Sequence, residues 1–142
     1  MKFLIILSTV LLVNCVHAAM DKEQAQEMFK GMAQDCKDSQ GATDEEVNLM
    51  AEGNYPDTKS GKCLVACLQK QFGVVKDEKK LDFDGFMAVA KMGLEDDQDK
   101  IKLAEEIARE CEVITDPDEC ELAVKIGKCL EAGAKKRDIK MM

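Results

Sequence analysis

The sequence predicts an all-α fold, a bundle of six helices stapled by disulfides. Three observations carry that prediction. Apolar residues recur at three- and four-residue steps along most of the chain. No stretch keeps a period-two alternation, and no hairpin dipeptide joins two apolar runs. Six of the seven cysteines, an even number suited to three bridges, fall within or beside the helical stripes.

The first segment is an address rather than part of the fold. Met1-Lys2 is a short basic start, and the run from Phe3 to Val13 is apolar apart from Ser8 and Thr9. Val16-His17-Ala18 places permissive residues at the positions a signal peptidase reads, so cleavage is expected after Ala18 or Ala19. This gives a signal peptide over 1–18 and one domain over 19–142. The apolar run is too short for a membrane span, and no later stretch is long enough, so a soluble extracellular protein is expected. Cleavage removes Cys15 and leaves six cysteines. It also removes His17, the only histidine, and takes the formal charge from −8 to −9 through the loss of Lys2.

Each helix has its own signals. Ala25, Met28, Phe29, Met32 and Cys36 form one face of a helix from Lys22 to about Lys37, and Gly41 ends the linker after it. Thr43-Asp44-Glu45-Glu46 is a capping box opening a short second helix with Val47 and Met50. Gly53-Asn54-Tyr55-Pro56 breaks it. Ser60 is placed to cap a third helix bearing Cys63, Leu64, Cys67, Leu68 and Phe72, with Gly73 as its stop.

A polar loop runs from Lys76 to Lys80, and Asp82 or Asp84 caps the fourth helix. Its segment from Phe86 to Met92 carries one charge in seven residues, which predicts deep burial before Gly93 ends it. Asp96, Asp97 and Asp99 crowd the start of the fifth helix, where the dipole favours negative charge. Ile101, Ala104, Ile107, Ala108 and Cys111 are its stripe. Asp116-Pro117 reads as an N-cap with proline at the first helical position of the sixth helix, running to about Ala132 with Gly133 after it. Leu122, Val124, Ile126, Cys129 and Leu130 are apolar on more than one face, which places that helix centrally.

Composition excludes several chemistries. A domain without histidine has no imidazole base for Ser-His-Asp or Cys-His catalysis and no histidine zinc site. An enzyme is therefore not expected. A net charge of −8 argues against a nucleic-acid partner. Asp82-Phe83-Asp84-Gly85 resembles a calcium loop, but aligning Gly85 with position six puts Lys80 and Lys91 where the first Asp and the bidentate Glu belong. Exported cysteines oxidise, so no metal and no cofactor is expected. Asn14, Asn48 and Asn54 all lack the glycosylation sequon.

The cysteine spacing is Cys36-x26-Cys63-x3-Cys67-x43-Cys111-x8-Cys120-x8-Cys129. Cys63 and Cys67 share a face and reach outward to separate partners, while Cys120 and Cys129 lie about 13.5 Å apart along one helix. Excluding those two pairs leaves ten of the 15 connectivities that six cysteines allow. The x3 and x8 spacings, with the leader, size, acidity and six helices, resemble the insect odorant-binding proteins over the whole mature chain. The resemblance implies the pairing Cys36–Cys67, Cys63–Cys120 and Cys111–Cys129.

It also implies a bundle enclosing an apolar ligand cavity, and a carrier that reversibly binds odorants, pheromones or related semiochemicals in sensory lymph or another body fluid. The implied partners are a small hydrophobic ligand and a sensory-neuron receptor; monomer and weak homodimer both stay open. Two alternatives stand beside it: a lipophile carrier outside olfaction, and a stapled helical interaction module with a solid core. The inferred inward faces give a lining of Met28, Met32, Met50, Leu64, Leu68, Phe86, Met87, Ala90, Ile107 and Val124. Its methionines suit a pocket that adapts to several ligands. Tyr55 reads as a half-exposed loop residue or a donor to a ligand oxygen. Ile139, Met141 and Met142 are apolar enough to fold over a pocket mouth, with Lys135, Lys136 and Arg137 placed to pair with shell acids. Without histidine, any pH response of this tail belongs to carboxylates.

Overall fold

The computed structural model describes residues 21–76 and 79–140; residues 1–20, with the expected signal peptide, and Met141 and Met142 of the tail lie outside the described residues. Six helices follow in order: α1 (Lys22–Gln40), α2 (Asp44–Ala51), α3 (Lys59–Gln71), α4 (Phe83–Gly93), α5 (Gln98–Cys111) and α6 (Glu119–Lys136). An isolated antiparallel bridge between Val75 and Leu81 closes the loop before α4.

The helix ends follow side-chain chemistry, and three differ from expectation. Asp21, Thr43, Asp82 and Asp97 cap α1, α2, α4 and α5, each accepting a first-turn amide proton. α3 is capped by Thr58, which accepts from the Gly61 amide at 3.0 Å, rather than by Ser60. The Ser60 hydroxyl is drawn away to Glu46 at 3.1 Å. α6 starts at Glu119 under Asp118, which accepts from Cys120 and Glu121. Asp116 instead accepts from the Asp118 amide and pairs with Lys125 at 2.5 Å, holding Pro117 outside the helix. α6 also runs past Gly133 to Lys136, because Gly133 is a contact and not a stop: a Cβ there would lie 2.7 Å from Ile107 Cγ2.

The three disulfides are Cys36–Cys67, Cys63–Cys120 and Cys111–Cys129. They tie α1 to α3, α3 to α6 and α5 to α6. The helices pack in the series α2·α1·α3·α6·α5·α4, with α3 on α6 the most extensive pair. Among the described residues, α1 and α2 make no extended packing with α4 or α5. α6 shares the centre with α3: each packs against two other helices and each carries two of the bridged cysteines.

Glu46 locks the N-termini of two helices together. It is buried, accepts from the Thr43 amide at 2.8 Å, and takes the hydroxyls of Thr58 and Ser60. Burial pushes its carboxyl up, but hydrogen bonds from Thr58, Thr43, Ser60 and Gly61 outweigh that and leave it below the ordinary value. A lowered folded value gives stability that is present above the unfolded value near 4.3 and lost as pH falls through the folded one. Glu46→Ala is expected to cost about 2 kcal/mol in urea unfolding at pH 7, and the gap from the native chain narrows below about pH 4.

Candidate functional site

The interior is divided. A first apolar cluster lies among α4, α5 and α6 and takes in Phe86, Met87, Ala90 and Ile107. A second joins α1, α2 and α3 through Leu64 and Leu68, with Met50 packed against it. A third lies in the α3·α6 seam, where Val65 and Ala66 meet Ala123 and Val124, again with Met50 alongside. Eight of the ten expected lining residues thus enter or abut the three clusters. Met50 touches two of them.

Met28 and Met32 do not join them, being 51% and 38% exposed. The packed face of α1 is Phe29, Ala33 and Cys36, because the bridge to Cys67 fixes the helix rotation and turns both methionines toward its shoulder. α4 is buried on one face only: Phe86, Met87 and Ala90 point in, while Ala88 is exposed and Met92 is 74% exposed. With no described helix covering its outer side, low charge there does not produce burial.

The seam between α3 and α6 is the best-fastened part of the molecule. The Cys63–Cys120 bridge crosses it, Lys62 pairs with Glu121 at 2.7 Å, and Lys70 pairs with Glu119 at 2.6 Å. The Gln69 amide nitrogen donates to the Ala123 carbonyl at 2.8 Å. Tyr55 is a half-buried residue of the loop before α3, and its ring lies against Gly127, where a Cβ would come within 2.5 Å of the hydroxyl. Burial, with a contribution from Glu131, pushes the phenol up to about 12, so it is a protonated donor at any physiological pH.

Two concavities border the clusters. One of about 10 Å³ lies under Lys70 and Glu119, walled by Ala66, Val75, Leu122 and Ala123. The other is a groove of about 320 Å³ between the α4–α5 turn and the C-terminal segment, walled by Gly93, Leu94, Glu95, Lys100, Asp138 and Lys140. Neither includes any of the ten expected lining residues. The C-terminal segment is docked: Ile139 is buried in the first cluster, and Arg137 pairs with Glu110 at 2.5 Å and Glu106 at 3.6 Å. Lys135 stays on its own helix with Glu131. From outside, the Arg109 guanidinium stacks 3.7 Å from the Phe83 ring centroid and clasps α5 to α4.

Sequence reasoning missed Leu81, Leu94 and Val75 as core residues, because isolated apolar residues in loops carry no period. It also missed Gln69, a polar side chain inside an apolar arc. Among the described residues, no helix is long and apolar enough to cross a membrane, and no group of acidic, cysteine or histidine side chains is arranged to hold a metal.

Six helices, three crosswise bridges and a core split into three apolar clusters define a disulfide-stapled helical domain. A family model described as the PBP/GOBP family matches residues 18–132. The chain belongs to that family, the insect odorant-binding proteins, which are non-enzymatic binding proteins. It is 34% identical over 137 residues to general odorant-binding protein 28a of Drosophila melanogaster, covering 96% of each chain. General odorant-binding protein 19d of the same fly is 27% identical over 126 residues, 88% of this chain and 81% of that one. The solved structure of odorant-binding protein dmelOBP28a from Drosophila melanogaster has a TM-score of 0.70 at 35% identity, covering 84% of this chain and all of that one, 100%.

Proposed function

We propose that this protein is a secreted soluble carrier that takes small hydrophobic molecules, of the odorant or pheromone class, into its apolar interior and releases them unchanged. The observation that carries this reading is the divided core. A domain of this size normally closes one contiguous core, whereas here α1 and α2 stand apart from α4 and α5. The ligand lies between Met50, Leu64 and Leu68 on one side and Phe86, Met87, Ala90 and Ile107 on the other, with Val124 as floor. Met28 and Met32 are the uncovered apolar surface at its edge. Flexible thioethers let one chain accept several shapes.

A ligand that binds only the folded chain stabilises it by mass action. At about a hundredfold over its Kd the gain is about 2.7 kcal/mol, read as a rise in Tm with a panel of long-chain alcohols, acetates and fatty acids. A Tm unmoved by the whole panel would favour the solid-core interaction module instead.

The C-terminal segment is the proposed closure. Glu110 is held below the ordinary carboxylate value, first by the hydrogen bond from Arg137. The clamp's contribution is therefore complete above the unfolded value near 4.3 and lost as pH falls through the lowered folded value. Ligand affinity is expected to stay level from pH 7 to pH 5 and to drop in more acid solution. Arg137→Gln should weaken binding at pH 7 and flatten that drop, as measured by titration at each pH.

A further inference from the structure

We infer that Gln69 is a specificity-determining residue, whose side-chain oxygen accepts a hydrogen bond from a hydroxyl-bearing amphiphile bound in the interior. This rests on the carrier reading and adds the chemical class of the ligand's head group.

The side-chain oxygen of Gln69 is buried and has no hydrogen-bond partner among the described residues. Its orientation is fixed by the other half of the amide: the nitrogen faces the Ala123 carbonyl at 2.8 Å, and turning the amide over would set two oxygens against each other. Buried acceptors are nearly always satisfied in folded proteins, and one left bare loses water without replacement.

Position gives the oxygen a use. Gln69 stands one turn after Val65 on the face of α3 that meets α6, among residues of the third cluster. Its backbone carbonyl accepts from Val74 at 2.8 Å and Val75 at 3.3 Å, which belong to the first cluster. The residue therefore sits where two of the apolar clusters meet. A lone acceptor there selects a ligand that brings a donor, an alcohol, over an otherwise equal ligand that brings only acceptors, an ether or ester. The small cavity nearby does not include Gln69 in its wall.

The test is a cycle with dodecanol and its methyl ether, each displacing N-phenyl-1-naphthylamine from the native chain and from Gln69→Met, a substitution of similar size without the acceptor. Taking the ratio of the two affinities in each protein cancels the different hydration of the ligands. The alcohol-to-ether ratio is expected to fall about fivefold in the variant, the worth of one neutral hydrogen bond. In the native chain, the Gln69 side-chain carbonyl 13C resonance should move downfield with the alcohol and stay put with the ether, which keeps the test valid if the variant folds poorly. An unchanged ratio, or a carbonyl resonance indifferent to the alcohol, overturns the assignment while leaving the carrier reading intact. A native chain that binds neither probe nor ligand overturns both.

Discussion

Replacing Cys63 and Cys120 together by alanine is expected to lower the unfolding free energy by about 4 kcal/mol, the largest effect of any single bridge. The reason is chain length. This bridge spans 57 residues, against 31 for Cys36–Cys67 and 18 for Cys111–Cys129, and closing the longest loop removes the most freedom from the unfolded chain. It also crosses the α3·α6 seam, on which the halves of the molecule meet. Small domains hold about 5–15 kcal/mol in all, so the variant should melt well below the native chain. Urea unfolding of the three paired variants, followed by far-UV circular dichroism, should rank the losses in order of loop length. A Cys63/Cys120 variant no less stable than the Cys111/Cys129 one would contradict this account of the framework.

Gly85→Ala is expected to cost about 3 kcal/mol although it adds a single methyl group. A Cβ at Gly85 would stand 1.8 Å from the Gly73 carbonyl oxygen and 2.7 Å from its carbon. Both atoms are backbone, so no side chain can turn aside. Gly73 itself holds φ at +72°, the left-handed conformation that ends α3, and cannot shift without undoing that stop. The opposing position is fixed as well: the Gly85 amide donates to Asp82 at 2.6 Å, and the Asp82 amide donates to the Val74 carbonyl at 2.8 Å. Gly31→Ala is the matched control. It lies in α1 with nothing within 4 Å of the added carbon, and should stabilise by about 0.5–1 kcal/mol through helix propensity alone. Thermal unfolding of the two variants should move in opposite directions.

The helices were legible because each carries a period and a cap. Thr43 with Glu46 caps α2 as the box indicates, while the structure picks Asp82 over Asp84 for α4 and Asp97 from the three acids before α5. Where caps compete, the pattern alone misleads. Thr58 and Ser60 both offer hydroxyls before α3, and buried Glu46, a tertiary partner, decides between them. Asp116 precedes a proline as an N-cap should, yet Lys125 and the Asp118 amide claim it. The site was less legible for the same reason. Periodicity finds the apolar stripe of α1 but not its rotation, so Met28 and Met32 were expected inside and the bridge to Cys67 turns them out. Gln69 gave no signal, because one amide in an apolar arc looks like a helix edge until its neighbours are known.

The central claim is that the interior opens to an apolar guest, and titration with N-phenyl-1-naphthylamine tests it most directly. The oxidised protein at micromolar concentration should turn the probe bright and blue-shifted, saturate near one probe per chain, and release it to a competing long-chain alcohol, while the reduced and urea-unfolded chain stays dark. A probe that stays dark on the folded, oxidised protein, with no hydrophobic competitor changing its signal, would contradict the carrier account.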